Sequence, residues 1–360
     1  MRILITGGAG FVGSRLALSF REQLESEIVV LDNLRRRGSE SNLVSLRKRG
    51  VAFYHGDIRQ REDLADLPGN FDLLIEASAE TSVHAGQQGS PSYVIGANLL
   101  GSLNCLDFAR QRVGAFLFLS TSRVYSISSL RAIRLRESKT RFDIAAVQSL
   151  PGVSPAGITE EFPTHDARSF YGATKLASEL LTQEYSMSYG LRTLINRCGV
   201  IAGPGQFGRT DQGVFTCWVA YHHFGVPLQY TGFGGSGKQV RDLLHPSDLA
   251  ELIRMQVDQS GPWEAEIFNV GGGQANSTSL LEMTALCREV VGSGVQISAT
   301  TESPTYDVPL YVSDCTKARE RFGWEPRRDV RTIVIETAKW IRENENTLKP
   351  FLCDADSQEK

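Results

Sequence analysis

Apolar residues along this chain come in short β-branched runs separated by longer stretches of helical period. The runs at 3–6, 28–31, 51–55, 71–77, 116–120 and 193–197 have strand length. Their nearly unbroken hydrophobicity belongs to strands covered on both faces. Between and after them the spacing predicts helices over 12–24, 94–112, 171–189, 246–257 and 279–291. Such alternation means a parallel sheet with helices on both sides. The expected fold class is therefore α/β, a Rossmann-type doubly wound parallel sheet with a smaller C-terminal substrate-binding domain. The boundaries read as 1–195 for the sheet domain, with an insertion at about 126–165, then 196–345 mainly for the smaller domain and 346–360 for a polar tail.

The insertion breaks the pattern. Between Tyr125 and Tyr171 its first half is basic (Arg131, Arg134, Arg136, Lys139, Arg141) and its second half reads PGVSPAGITEEFP. This is longer than an ordinary connection in a doubly wound domain. A lid over an anionic substrate and a solvated basic excursion both fit it.

Composition narrows the function class. With 360 residues, 41% of them hydrophobic, the chain can bury a large core, and its net charge of −3 gives no electrostatic footprint for nucleic acid. Six cysteines lie scattered without CxxC or ligand-like spacing, which favours reduced thiols in a cytoplasmic protein and argues against a metal site. The first strand begins at Arg2, leaving no room for a signal peptide, and no apolar run reaches the ~18 residues that span a bilayer.

The candidate chemistry begins at RILITGGAGFVGS. Gly7, Gly8, Gly10 and Gly13 follow a strand and open a helix, the context of a dinucleotide-binding loop, where glycines admit a pyrophosphate and the helix N-terminus stabilises its charge. Asp32 ends the second strand, where a carboxylate accepts from a ribose 2′-hydroxyl and repels a 2′-phosphate, so the expected cofactor is NAD. Arg35, Arg36 and Arg37 follow closely, and a guanidinium there would instead suit NADP.

Tyr171 and Lys175 in SFYGATKLASELL stand one helical turn apart. A free phenol titrates near ~10, and bringing it to neutrality takes roughly 3 units, or ~4 kcal/mol. One cation about 4 Å away in a partly dry site supplies that order of energy. The pair then forms a base able to take a hydroxyl proton from an alcohol. Thr121, just past the fifth strand in FLSTSRVYS, lies at the edge where such sheets bind ligands, with Ser120 and Ser122 as competing hydroxyls.

At this point the chain resembles the extended short-chain dehydrogenase/reductase family of nucleotide-sugar epimerases and dehydratases, from Met1 to about Asn344. Within it, DNLRRRGSESNL, STSRVYS with a long insertion after it, YGATKLASE, GPGQFGRTDQGVF and GKQVRDLLH look most like members that epimerise C2 of a CDP-linked deoxyhexose. The resemblance implies a homodimer with a nucleotide-sugar substrate, and places Gly7, Gly10, Phe11, Val12, Gly13 and Asp32 on the pyrophosphate and adenosine ribose, with Asn33 and Arg36 beside them. It implies Asp57 and Ile58 at the adenine, Ala77 and Ala79 along the cofactor cleft, and Lys175 on the nicotinamide ribose. Thr121, Tyr171 and Lys175 would be catalytic, while Ser122, Arg123, Gln206, Arg209, Gln212 and Arg241 would meet the substrate. For Arg241 the bland alternative is a salt bridge to Asp242 or Asp248. Three departures stand out. Ser122 and Arg123 stand where dehydratases of the family carry carboxylates, Val200 stands where many relatives have Asn, and Ser303 stands where relatives often have arginine. A 4-epimerase, a reductase and a non-catalytic nucleotide sensor are the remaining alternatives.

Overall fold

The computed structural model describes the chain except residues 24–25, 88, 209–211, 260, 262 and 354–360. Among the described residues the main sheet has seven parallel strands, in the order Glu264–Val270, Arg192–Cys198, Ala115–Thr121, Leu73–Glu76, Arg2–Thr6, Glu27–Asp32 and Ala52–His55. All six runs expected to be strands are in it. The seventh, Glu264–Val270, was not anticipated, because Glu264 and Glu266 interrupt its apolar pattern. The chain reverses its direction of travel across the sheet between Arg2–Thr6 and Leu73–Glu76, and that switch point opens a crevice at the strands' carboxyl ends.

The five expected helices form at Phe11–Gln23, 92–112, Phe170–Tyr189, Pro246–Asp258 and Leu280–Val291. Phe11–Gln23 and Pro246–Asp258 cover one face of the sheet, burying Leu16, Phe20, Leu249 and Ile253 against Ile3, Ile5 and Val30. The other two early helices cover the opposite face, where Cys105, Leu106 and Phe108 meet Leu4, Leu74 and Phe116. Burying each such side chain contributes about 1.5–3 kcal/mol. Helix 92–112 carries a π turn at Gly96–Leu100, which rotates Asn98 inward beneath the crevice.

The smaller part packs helices Val214–Phe224, Leu280–Val291 and Val330–Glu343 around Trp218, Met283 and Val334, beside a short sheet of Val200–Ile201, Val240–Leu244, Ser277–Ser279 and Leu310–Tyr311. The polar tail expected from 346 is instead helical over Glu345–Leu352, because Leu348 and Leu352 share one face and are buried. This helix reaches the sheet domain. Arg37 donates to the Pro350 carbonyl at 3.2 Å and lies over the Phe351 ring, which in turn meets Phe207 edge-on.

The insertion is a packed strut. It forms a helix, Ile127–Ala132, and the hairpins Leu135–Glu137/Phe142–Ile144 and Val153–Ser154/Gly157–Ile158. Leu130, Ile133, Ile158 and Phe162 bury against Val308 and Tyr311. Arg131 donates to the carbonyls of Pro304, Thr305 and Asp307, and Arg141 to the Ser277 carbonyl while pairing with Asp143. These two guanidiniums satisfy backbone acceptors of the smaller part, while Arg134, Arg136 and Lys139 are exposed.

Candidate active site

A cleft of about 1260 Å³ follows the sheet's carboxyl edge and continues between the two parts of the molecule. Its first bank is the glycine loop. Gly7 turns at a φ of 65°, Gly10 donates to the Gly7 carbonyl at 3.0 Å, and the helix Phe11–Gln23 starts at once. A Cβ on Gly13 would lie 2.3 Å from the Gly7 oxygen, so the helix meets the strand end only because that side chain is missing. Gly7, Gly10, Phe11, Val12, Gly13, Asp32, Asn33, Arg36, Asp57, Ile58, Ala77 and Ala79 all line this bank.

Asp32 is held by backbone: Ala9 N–H donates to its Oδ2 at 3.0 Å and Leu34 N–H to its Oδ1 at 2.8 Å. Burial raises its pKa against those hydrogen bonds. At the far end Asp57 is buttressed by Arg59 at 2.6 Å and by Asn33 at 2.8 Å, and although burial opposes them these partners hold it at about 2. Tyr93 sits between two guanidiniums, Arg35 at 4.1 Å and Arg59 at 5.0 Å from its ring centre. Of the arginine triplet, Arg35 thus stacks on Tyr93 and Arg37 engages the C-terminal helix.

The second bank begins on helix Phe170–Tyr189, which Ser169 caps by accepting from Gly172 N–H and which ends at Gly190 with a φ of 66°. Its sheet-facing stripe is polar: Tyr171, Thr174, Lys175, Ser178, Glu179 and Thr182 are buried. Thr174, Ser178 and Thr182 satisfy their hydroxyls on the carbonyls one turn back. Glu179 accepts from Ser120 and from Arg197 at 2.7 Å, a buried ion pair underneath the site. The Ser120 hydroxyl is therefore engaged with Glu179, and Thr121 is the hydroxyl that meets Tyr171. Asn98 ties this helix to the cleft wall, exchanging hydrogen bonds of 2.8 Å with both backbone groups of Glu80 and donating to Thr174.

The electrostatics differ from those expected of the Tyr171–Lys175 pair. Burial pushes the Tyr171 phenol up to about 12, opposed by the Thr121 hydrogen bond and by the charge of Arg123. The Lys175 ammonium lies 3.9 Å over the Phe118 ring; burial lowers its pKa, and the charge facing it is Glu76. The cation acting on the phenol in this arrangement is Arg123, itself half-buried, with desolvation and Arg241 lowering it to about 10, so that it stays charged at neutral pH. Arg123 donates to the Tyr306 carbonyl at 3.0 Å.

Residues 3–271 match the NAD dependent epimerase/dehydratase family. The chain belongs to that family. It is 30% identical to a CDP-paratose 2-epimerase of Salmonella typhi, over 94% of this chain and 99% of the relative. It is 28% identical to a dTDP-glucose 4,6-dehydratase of Streptomyces niveus, over 98% and 96%. The UDP-glucose 4-epimerase of Thermus thermophilus, solved with NAD, superposes with a TM-score of 0.74 at 26% identity, covering 95% of this chain and 99% of that one. An NAD-dependent enzyme of nucleotide-sugar chemistry follows from membership. The cradle fits such a cofactor, since the side-chain-free Gly13 lets the helix N-terminus close onto the glycine loop and Asp32 stands where the second strand ends.

On the substrate side Ser122, Arg123, Gln206, Gln212 and Arg241 line the cleft, while Arg209 lies outside the described residues. Besides Arg123 on the Tyr306 carbonyl, two of these are already engaged. The Gln206 amide donates to the Ile201 carbonyl and accepts from Thr216, bracing its own loop. Arg241 pairs with Asp307 at 2.7 Å, neither with Asp242, which accepts from Gly273 and Ser313, nor with Asp248, which pairs with Arg328. Ser303 accepts from Phe233 N–H. Sequence reasoning missed Glu76, Asn98, Tyr93 and Asp307. Only Glu76 left a signal, a carboxylate set directly after the apolar run LLI. Among the described residues no cluster of His, Cys, Asp and Glu is arranged to hold a metal, and no helix is long and apolar enough to cross a membrane.

Proposed function

We propose that this enzyme is a nucleotide-sugar 2-epimerase acting on a CDP-linked deoxyhexose, through transient oxidation to a keto sugar that is reduced from its other face. The observation carrying the choice of epimerase is Arg123. Water elimination needs an acid/base beside the ring, and the positions following Thr121 hold Ser122 and a half-buried guanidinium beside the phenol instead of a carboxylate. Likeness to the Salmonella typhi enzyme over nearly the whole of both chains supports the CDP-linked substrate and C2. NAD, when bound, supplies a hydride acceptor able to return what it accepts.

The chain's own residues do the rest. Tyr171 exchanges the proton of the sugar hydroxyl, Thr121 orients the phenol and that hydroxyl, Arg123 favours the phenolate, and Lys175 would hold the nicotinamide ribose. Arg241, already forked onto Asp307 and the Val308 carbonyl, presents charge toward the diphosphate. We read the assembly as a homodimer through helices 92–112 and 170–189, whose outer faces leave Leu100, Leu180 and Met187 exposed. A monomeric mass in sedimentation at micromolar concentration would contradict it.

The experiment is product analysis by NMR after incubation with CDP-, UDP-, GDP- and dTDP-sugars in deuterated water. Inversion at C2 of a CDP-sugar with the carbon-bound hydrogen retained is the expected result. Loss of water from a dTDP- or CDP-hexose, or inversion confined to C4, overturns the assignment.

A further inference from the structure

Glu76 is the one carboxylate on the strand Leu73–Glu76, at the end whose next residues line the cleft. It is fully buried. Its strand is hydrogen-bonded to Ala115–Thr121 in a register that sets Glu76 opposite Phe118, and the Lys175 ammonium lies over that same Phe118 ring at 3.9 Å. Carboxylate and ammonium therefore lie on one face of the sheet, the carboxylate on its own strand and the ammonium reaching from the helix Phe170–Tyr189 over the Phe118 ring of the neighbouring strand. The Ser102 hydroxyl donates to Glu76 Oε1 at 2.5 Å, while among the described residues Oε2 has no hydrogen-bond partner. An acceptor so placed, buried with one oxygen fixed and the other open, stores a negative charge for a neighbour.

We propose that Glu76 is a positioning residue that keeps the Lys175 side chain charged and anchored on the cleft floor. Without a counter-charge, a lysine so enclosed would shed its proton, because burial disfavours the ammonium by up to several pKa units. The other groups around the pair do not supply that charge equally. Glu179, on the same helix as Lys175, already bonds Arg197 and Ser120. Cys198 and Cys105 face Lys175 from strand and helix, and burial pushes both thiols up, so they are neutral at ordinary pH. Thr6, on Arg2–Thr6, faces Cys105 with an uncharged hydroxyl. Burial raises Glu76 to about 7 against the opposing pull of Lys175 and Ser102, consistent with a carboxylate that ionises because the ammonium is there.

The inference rests on reading Lys175 as part of the reacting site, and its test separates the two. In protein carrying 13Cε-lysine, with the Lys175 resonance assigned by comparison with Lys175→Arg, the amine midpoint is followed by NMR titration. Glu76→Gln and Glu76→Leu should each lower it by about one unit, a tenfold shift in proton affinity, or more. Glu76→Asp, which restores the charge, should recover most of the shift. The alkaline limb of kcat for the NAD-loaded enzyme should move toward neutrality in Gln and Leu with KM little changed. Leu guards against a misfolded Gln variant, since an apolar side chain suits the Leu74 and Phe116 surroundings. An unchanged Lys175 midpoint in both variants overturns the proposal, as does an Asp variant that falls as far as Leu, because packing rather than charge would then be responsible. A shifted midpoint with an unmoved kcat profile leaves the Glu76 assignment standing and removes Lys175 from the proposed mechanism.

Discussion

The two banks of the cleft are built by different means. The cofactor bank is backbone: a glycine turn, a helix N-terminus and an aspartate gripped by two N–H groups, all drawn from the first sixty residues apart from Ala77 and Ala79. The opposite bank is side chains from separated stretches, with Thr121, Arg123, Tyr171, Arg241 and Asp307 meeting only when the whole chain is folded. A backbone site is specified by the absence of atoms, so a substitution there fails sterically. A side-chain site is specified by charge, so a substitution there redirects electrostatics and leaves the fold in place.

The largest expected effect lies beneath the second bank. Glu179 and Arg197 form a pair exposed by only 1% and 6%, and removing one partner strands a buried charge. Glu179→Ala is expected to destabilise the protein by about 3–5 kcal/mol. Denaturant unfolding measures it, and a loss under roughly 1 kcal/mol, the range of an exposed pair, would show that water or Tyr125 compensates Arg197.

Glu76 gives a pH-dependent counterpart. Its folded pKa, raised by burial to about 7 from an unfolded 4.5, means the native protein binds the proton more tightly than the unfolded chain. Stability from this group is full below pH 4.5 and is lost as pH rises through 7, by an amount on the order of 3 kcal/mol in the NAD-free protein. Unfolding at about pH 5.5 and about pH 8, on either side of that midpoint, should show the slope in the parent and a flatter one in Glu76→Gln. Parallel slopes would mean the carboxylate is matched in both states.

Next comes chemistry. Tyr171→Phe keeps the ring and its packing, so NAD binding should survive, while turnover drops ~100-fold or more through loss of a positioned acid/base. Turnover within tenfold of the parent would dismiss the phenol from its role, since the second bank would then be working through its guanidiniums alone.

How much was legible follows the same division. The strands, the glycine loop and the Tyr171 helix could be read from sequence because each is fixed by neighbours within a few residues: Ser169 caps, Gly190 stops, and alternating runs pack into one sheet. The pairs Arg131 with the 304–307 carbonyls and Arg241 with Asp307 span 176 and 66 residues, and nothing local announces them. Arg141 looked like a candidate for anion binding for the same reason, since a guanidinium's partner cannot be seen from its own segment. Thr121 was preferred to Ser120 by its place in the segment, and the hydrogen bond that engages Ser120 with Glu179 became visible only in three dimensions. The partnership of Tyr171 with Lys175 was read from helix spacing alone. Spacing puts two residues on one face without fixing where a long side chain ends, and here Phe118 and Glu76 draw the ammonium aside.

The smallest effect tests whether the cofactor bank is purely a backbone device. Asp32 ends its strand with both oxygens already accepting from Ala9 and Leu34, which fixes the carboxylate at the edge of the cleft. Arg35 stacks on Tyr93, and Arg37 reaches Pro350 and Phe351, so two of the three guanidiniums that would suit a 2′-phosphate are occupied elsewhere. A fixed carboxylate at hydrogen-bonding range outweighs guanidiniums held away from it and screened by salt. NAD should therefore bind more tightly than NADP, and Asp32→Ala should narrow the gap by roughly tenfold, about 1.4 kcal/mol, mostly by weakening NAD. Because Asp32 also holds Ala9 N–H, Asp32→Asn serves as the control that keeps an acceptor there without the charge. Calorimetry showing equal or tighter NADP binding by the parent would overturn this ordering. It would also make the arginine run a side-chain phosphate clamp, giving the first bank the same construction as the second.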